Sequence, residues 1–138
     1  MSYDSRMAKE GKVAVVTGGA GFIGSHLVDE LIARGYDVRV VDSLVAGKKE
    51  HVHPDATFHQ VDIRDGKALA PIMQGADYVF HLAALPRVQF SIDNPFESHD
   101  VNVNGTLNVF LSAKDAKVKR IIYSASRCRR SWTGNIML

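Results

Sequence analysis

Thr17-Gly18-Gly19-Ala20-Gly21-Phe22-Ile23-Gly24 decides the fold, because it directly follows the apolar stretch Val13-Ala14-Val15-Val16 and opens an amphipathic segment. A strand, a glycine turn and a helix start in that order make a dinucleotide-binding βαβ unit. Gly18 permits the sharp turn out of the strand, Gly21 lets the backbone approach a pyrophosphate, and Gly24 lets helix and strand pack closely. The helix N-terminus supplies N–H groups and the positive end of its dipole to the phosphates. A glycine turn also occurs for purely structural reasons. The flanking strand and helix, with an acid further on, favour nucleotide binding.

Outward from this unit, apolar β-branched runs alternate with helical periods, the pattern of a parallel sheet covered by helices on both faces. Strands are predicted at Val13–Thr17, Asp37–Asp42, Thr57–Gln60, Tyr78–Leu82 and Arg120–Ser124, and helices at Phe22–Arg34, Gly66–Met73 and Pro95–Lys114. The first helix carries the apolar stripe Ile23, Leu27, Leu31, a polar face with Asp29, Glu30 and Arg34, and Gly35 as its C-cap. A strand buried on both faces reads as a continuous apolar run, which fits Ile121-Ile122-Tyr123 well and Val38-Arg39-Val40-Val41 only in part. Repeats, low-complexity tracts and a linker to a second domain are absent from the sequence.

The 138 residues suit one domain, and 46% hydrophobic with 23% charged residues is ordinary globular composition. A net charge of +2 offers no field for nucleic acid. The calculated pI of 8.8 leans on Arg127, Arg129 and Arg130. One cysteine, Cys128, excludes an internal disulfide, and no apolar run is long enough to span a membrane. No nucleic-acid or membrane partner is expected, and the cytoplasm is the default compartment.

Asp42 closes the second strand, where an acid accepts hydrogen bonds from the adenosine ribose hydroxyls and repels a 2′-phosphate. That selects NAD, the expected cofactor. The alternatives are a strand-end acid that merely caps a loop, and a phosphate received by Lys48 and Lys49. Asp62-Ile63 follows the third strand, at the crevice above the carboxyl ends of the sheet. An acid and an apolar side chain there suit the exocyclic amine and the face of adenine, with a helix N-terminal acid near Asp65 as the structural alternative.

These residues, together with His81-Leu82-Ala83-Ala84, Asn102-Val103-Asn104-Gly105-Thr106 and Tyr123-Ser124-Ala125-Ser126, resemble in order and spacing the extended short-chain dehydrogenases/reductases. The stretch from Asp42 through Ser43 to Lys49 and the stretch from His81 to Pro95 are most similar to the NAD-dependent epimerase/dehydratase branch that holds UDP-glucose and UDP-N-acetylglucosamine 4-epimerases. The resemblance covers residues 12–126, flanked by a flexible tail at 1–11 and a non-family tail at 127–138. It implies an α/β fold, a Rossmann-type doubly wound parallel sheet that is incomplete, with about five strands in the order 3-2-1-4-5.

It further implies that Gly18, Gly21, Phe22, Ile23, Gly24, Asp42, Ser43, Asp62, Ile63, Leu82, Ala83, Ala84 and Asn102 bind the cofactor. Small residues at Ala83 and Ala84 let ribose and phosphates pass close to backbone. Asn102 corresponds to an asparagine that holds a helix distortion and an ordered water, the alternative being a solvent-facing or capping residue. His81 reads as a core hydrogen-bonding residue, and Arg87, Val88 and Ser91 as a loop at the substrate edge. Ser126 matches the serine that hydrogen-bonds the sugar hydroxyl being oxidised. The implied partners are a nucleotide-sugar substrate and a second copy in a homodimer that uses the helix at Pro95–Lys114.

The family's catalytic Tyr-x-x-x-Lys is absent: Tyr3, Tyr36, Tyr78 and Tyr123 are followed at that spacing by Met7, Val40, Leu82 and Arg127. In the family the tyrosine is the general base and the lysine lowers its pKa. The expectation is a truncated epimerase whose native sequence ends at Ser126, a frameshift being one origin of the tail beyond it, which binds cofactor without turnover; the coding DNA downstream tests this. A fifth strand without a further neighbour becomes an exposed edge. The alternative functions are a non-catalytic NAD-sensing or interaction module and an enzyme completed by a separately encoded half. His51, His53, His59 and Asp55 read as solvent-exposed rather than as a metal cluster. Cys128 and the Arg127–Arg130 run with Trp132 read as tail residues.

Overall fold

The computed structural model describes residues 11–125. Ser126, Tyr3, the C-terminal tail and all but Gly11 of the N-terminal tail lie outside the described residues. Five parallel strands, β1 (Val13–Thr17), β2 (Asp37–Asp42), β3 (Thr57–Gln60), β4 (Tyr78–His81) and β5 (Arg120–Tyr123), form one sheet in the order β3-β2-β1-β4-β5. This is the expected fold and order, and each strand lies within one residue of its predicted span.

Alternation along the strands builds two cores. Ala14, Val16, Val38 and Val40 face helix α1 (Phe22–Ala33), where Val28 and Leu31 meet them. Val15, Val41 and Val79 face α2 (Gly66–Met73) and α5 (Thr106–Asp115) on the other side. Arg39 shares that second face, and its Nη1 donates to the carbonyls of Ile72 and Gln74 at the end of α2, both at 2.7 Å. A charged residue inside β2 thus satisfies helix-end acceptors, which is why the run 38–41 is only partly apolar.

The structure corrects four readings. The stripe on α1 is not Ile23-Leu27-Leu31: Ile23 is 69% exposed, and Gly24, Ser25, Val28 and Leu31 are buried. The rotation follows from Gly24, which must face the turn. The predicted helix at Pro95–Lys114 is three pieces, α4 (Pro95–His99), a π-helical turn (Asp100–Gly105) and α5, because the turn accommodates an extra residue. The supposed loop around Arg87–Ser91 contains a short helix, α3 (Val88–Asp93), too brief for periodicity to show. Ile121-Ile122-Tyr123 is not buried on both faces: β5 pairs with β4 alone among the described strands, and Tyr123 is half-exposed.

Gly35 (φ 83°) ends α1 as expected, with its N–H on the Ile32 carbonyl and the Tyr36 N–H on Leu31. No helix among the described residues is long and apolar enough to cross a membrane.

Candidate functional site

At the carboxyl ends of β1, β2 and β4 a cleft of about 480 Å³ opens where the chain reverses direction across the sheet between β1 and β4. Gly18, Gly21, Phe22, Ile23, Gly24, Asp42, Ser43, Asp62, Ile63, Leu82, Ala83 and Ala84 line it together. The structure therefore brings into one place twelve of the thirteen positions named for a cofactor; Asn102 stands behind the wall.

The glycine turn shapes the base of the cleft. Gly18 adopts φ 73° and packs so tightly on the Leu82–Ala83 backbone that an added Cβ would lie 2.8 Å from the Ala83 nitrogen. A Cβ on Gly24 would collide with the Gly18 carbonyl. These contacts bring the start of α1 to the cleft with Gly21 as its N-cap, no side chain capping it and no acidic residue in the first turn. An α-helix leaves the N–H groups of its first turn without intrahelical partners, so this end fits a pyrophosphate.

Asp42 is the lateral anchor. Its Oδ2 accepts the Ala20 N–H at 3.0 Å and its Oδ1 accepts the Leu44 N–H at 2.8 Å, which holds Leu44 in the left-handed region at φ 63°. It therefore organises the glycine turn and the loop that follows, and each oxygen keeps lone-pair capacity for a ribose hydroxyl. Lys48 and Lys49 do not line the cleft; the Lys48 N–H donates to the Ala20 carbonyl at 3.1 Å.

Asp62 lines the same cleft, gripped by Arg64. Arg64 Nε reaches both carboxylate oxygens at 3.1 Å, Nη2 donates to Oδ2 at 2.7 Å, and the Arg64 N–H donates to Oδ1 at 2.9 Å. These hydrogen bonds hold the Asp62 carboxyl below its ordinary 3.8, against the opposing effect of partial burial. The helix-capping acid is Asp65, which accepts the Ala68 N–H at 3.1 Å.

His81 is buried between two threonines. Thr17 Oγ1 accepts the N–H groups of Leu82 and Ala83, both at 3.2 Å, so its own hydrogen points to His81 Nδ1 at 2.6 Å. The imidazole proton then resides on Nε2 and is donated to Thr106 Oγ1 at 2.8 Å. Burial pushes the His81 pKa down from 6.5 to about 4, so the ring is neutral at pH 7 and ties β1, β4 and α5 together beneath Ala83.

Asn102, in the π-helical turn, accepts the Leu85 N–H at 2.8 Å and donates to the Leu85 carbonyl at 3.2 Å. It holds the cleft-lining loop after β4 rather than the cleft itself. Arg87, Val88 and Ser91 do not line the cleft; the Ser91 hydroxyl donates to the Val88 carbonyl at 2.7 Å. Among the described residues no three His, Cys, Asp or Glu side chains are grouped to hold a metal ion, His51, His53, Asp55 and His59 included, and His53 Nδ1 accepts the Asp55 N–H at 3.1 Å.

Arg64, Glu97, Val101 and Ser124 also line the cleft, and local pattern did not single them out. Arg64 directly follows Asp62-Ile63, a neighbourhood that could have flagged it. Glu97 comes from α4 and Val101 from the π-helical turn that follows it.

Residues 14–132 match the sequence model of the NAD dependent epimerase/dehydratase family. A UDP-glucose 4-epimerase from Lactobacillus helveticus is 40% identical over 114 residues, which is 81% of this chain and 34% of that protein. The crystal structure of UDP-glucose 4-epimerase from Thermotoga maritima with UDP-glucose superposes with a TM-score of 0.80 at 40% identity, covering 83% of this chain and 38% of that one. The Thermus thermophilus UDP-glucose 4-epimerase complex with NAD gives a TM-score of 0.75 at 37% identity, covering 79% and 36%. The chain thus spans about a third of the length of the relatives it matches.

Proposed function

The chain belongs to the NAD-dependent epimerase/dehydratase family, and we propose that its 138 residues are the NAD-binding portion of a UDP-sugar 4-epimerase-like enzyme. The observation that carries this reading is that an uncapped helix N-terminus, Asp42 and the Asp62-Ile63 pair line one cleft together. A dinucleotide needs those three features, for its pyrophosphate, its ribose and its adenine. The bound NAD supplies a hydride acceptor and donor for the sugar. The chain's own residues bind and orient it: the start of α1 neutralises phosphate charge, and Asp42 accepts the ribose hydroxyls. Ser126 is assigned to the sugar hydroxyl on the family resemblance. Without a Tyr-x-x-x-Lys these residues have no base for the sugar hydroxyl, so binding without turnover is the expected behaviour of the polypeptide as it stands.

Calorimetric titration of the chain with NAD and with NADP tests the cofactor reading. A charge-assisted hydrogen bond contributes about 1.5–3 kcal/mol, so Asp42→Ala should weaken NAD at least about tenfold and erase the preference over NADP. A variant that loses both dinucleotides equally would leave Asp42 with its loop-holding role alone, and a folded chain that binds neither would end the reading.

A second copy is the partner we assign to the outward face of the π-helical turn and α5, where Val103, Leu107 and Leu111 recur every fourth residue and Leu107 is 52% exposed. Sedimentation velocity should show a dimer that Leu107→Glu dissociates; a parent chain that sediments as a monomer at every concentration excludes it.

A further inference from the structure

We propose that Arg64, braced by the π-helical turn and α5, is the positioning residue that makes this cleft select a 6-aminopurine over a 6-oxopurine. The inference rests on the reading above, in which the adenine of the cofactor lies at Asp62. The carboxylate of Asp62 does not stand alone. Oδ1 accepts the Arg64 N–H, Oδ2 accepts Nη2, and the two oxygens share Nε, so each keeps acceptor capacity for one further donor. The fork fixes the plane of the carboxylate as a single charge nearby could not.

Arg64 is itself held from the far side. Its Nη1 lies 3.6 Å from Asp100 Oδ2, in the π-helical turn, and Asp100 Oδ1 accepts Asn104 Nδ2 at 2.8 Å. Asn108 of α5 donates to the carbonyls of Ile63 and Arg64 at 3.1 and 2.9 Å, and the Gly105 backbone lies against the Ile63 side chain. The segment 62–64 is therefore pinned by one continuous helical stretch. An ionised, acceptor-only group in fixed orientation pairs with the exocyclic amine of adenine, whereas the carbonyl of hypoxanthine presents a second acceptor to it. Arg64 supports this in a second way, since it keeps Asp62 ionised in acid, where a protonated carboxyl would accept either base.

The test is calorimetric titration of the chain with NAD and with nicotinamide hypoxanthine dinucleotide, for the parent, Arg64→Gln and Arg64→Lys. The parent should prefer NAD at least about tenfold, the ratio a charge-assisted hydrogen bond sets. Both variants should bring the ratio to about two or less while the preference for NAD over NADP persists, a pattern that general loosening of the fold would not produce. Retention of the parent ratio in either variant overturns the role of the Arg64 fork. A parent that binds both dinucleotides equally removes adenine from Asp62 and overturns the inference while leaving NAD binding intact; a folded chain that binds neither overturns the proposed function with it.

Discussion

Gly24→Ala is expected to cost both stability and cofactor binding, although alanine is the better helix former by about 1 kcal/mol. The new Cβ would enter the space of the Gly18 carbonyl, 2.8 Å from the Gly18 carbonyl carbon and 2.9 Å from the Gly19 Cα. All the obstructing atoms are backbone, held by the φ 73° turn and by the hydrogen bond from the Gly18 N–H to the Val41 carbonyl at 2.8 Å. Overpacking costs typically about 1–3 kcal/mol even where side chains can adjust, and here they cannot, so the collision outweighs the propensity gain. Relief requires α1 to withdraw, and its N-terminus is the wall meant for the pyrophosphate. Urea unfolding should show a loss of about 1–2 kcal/mol, and calorimetry a fall in NAD affinity of at least about tenfold. A variant as stable and as tight-binding as the parent would refute the contact between helix and turn as the device that places the phosphate site.

Acid is expected to weaken the fold in a window set by His81. Its pKa is about 4 when folded against an ordinary 6.5, so between those values the unfolded chain takes up a proton that the folded chain refuses. Stability is therefore fully present above pH 6.5 and declines as pH falls towards 4, by about 3 kcal/mol for a shift of this size. Asp62 and Asp77, both held below the ordinary 3.8, add their own losses only at lower pH. Protonation would also place a donor on Nδ1 opposite the Thr17 hydroxyl, whose oxygen has no lone pair left to accept it while it receives the Leu82 and Ala83 N–H groups. The floor of the cleft should loosen together with the fold. Urea midpoints measured from pH 7.5 to 4.5 should fall for the parent and stay level for His81→Gln; equal slopes in the two proteins would remove His81 from this role.

Most of the architecture was legible because it is written locally. Strands β1, β2 and β5 are short runs rich in β-branched residues between turns, and a doubly wound parallel sheet is the packing that covers such runs on both faces. The glycine turn was legible for the same reason: Gly18 and Gly24 meet within one turn of chain, so their spacing alone implies the contact. Asp42 and Asp62 could be placed because the first ends β2 and the second stands two residues past β3, where the strand ends border the crevice. Even the break around Asn102 was expected in kind, though through the family resemblance and not through the helical period, which runs unbroken in the sequence.

The rest depended on contacts between distant residues, which no period records. Which face α1 buries was decided by the Gly24 contact with Gly18, and that turned Ile23 outward despite its place in an apolar stripe. Arg39 became a cap for α2, more than thirty residues away, once the sheet set its side chain beside the helix end. The same holds for Thr17, His81 and Thr106, three unremarkable polar residues until β1, β4 and α5 pack together and bury them beneath the cleft. By itself the sequence determined the strands, the first two helices and the residues at the crevice, because backbone geometry and hydrophobic period act over a few neighbouring residues, while the sheet order came from the family resemblance. Only the tertiary structure decided what braces Arg64 and which residues stand behind the cleft, because Asp100, Asn108 and Asn102 reach those segments only when the helices dock.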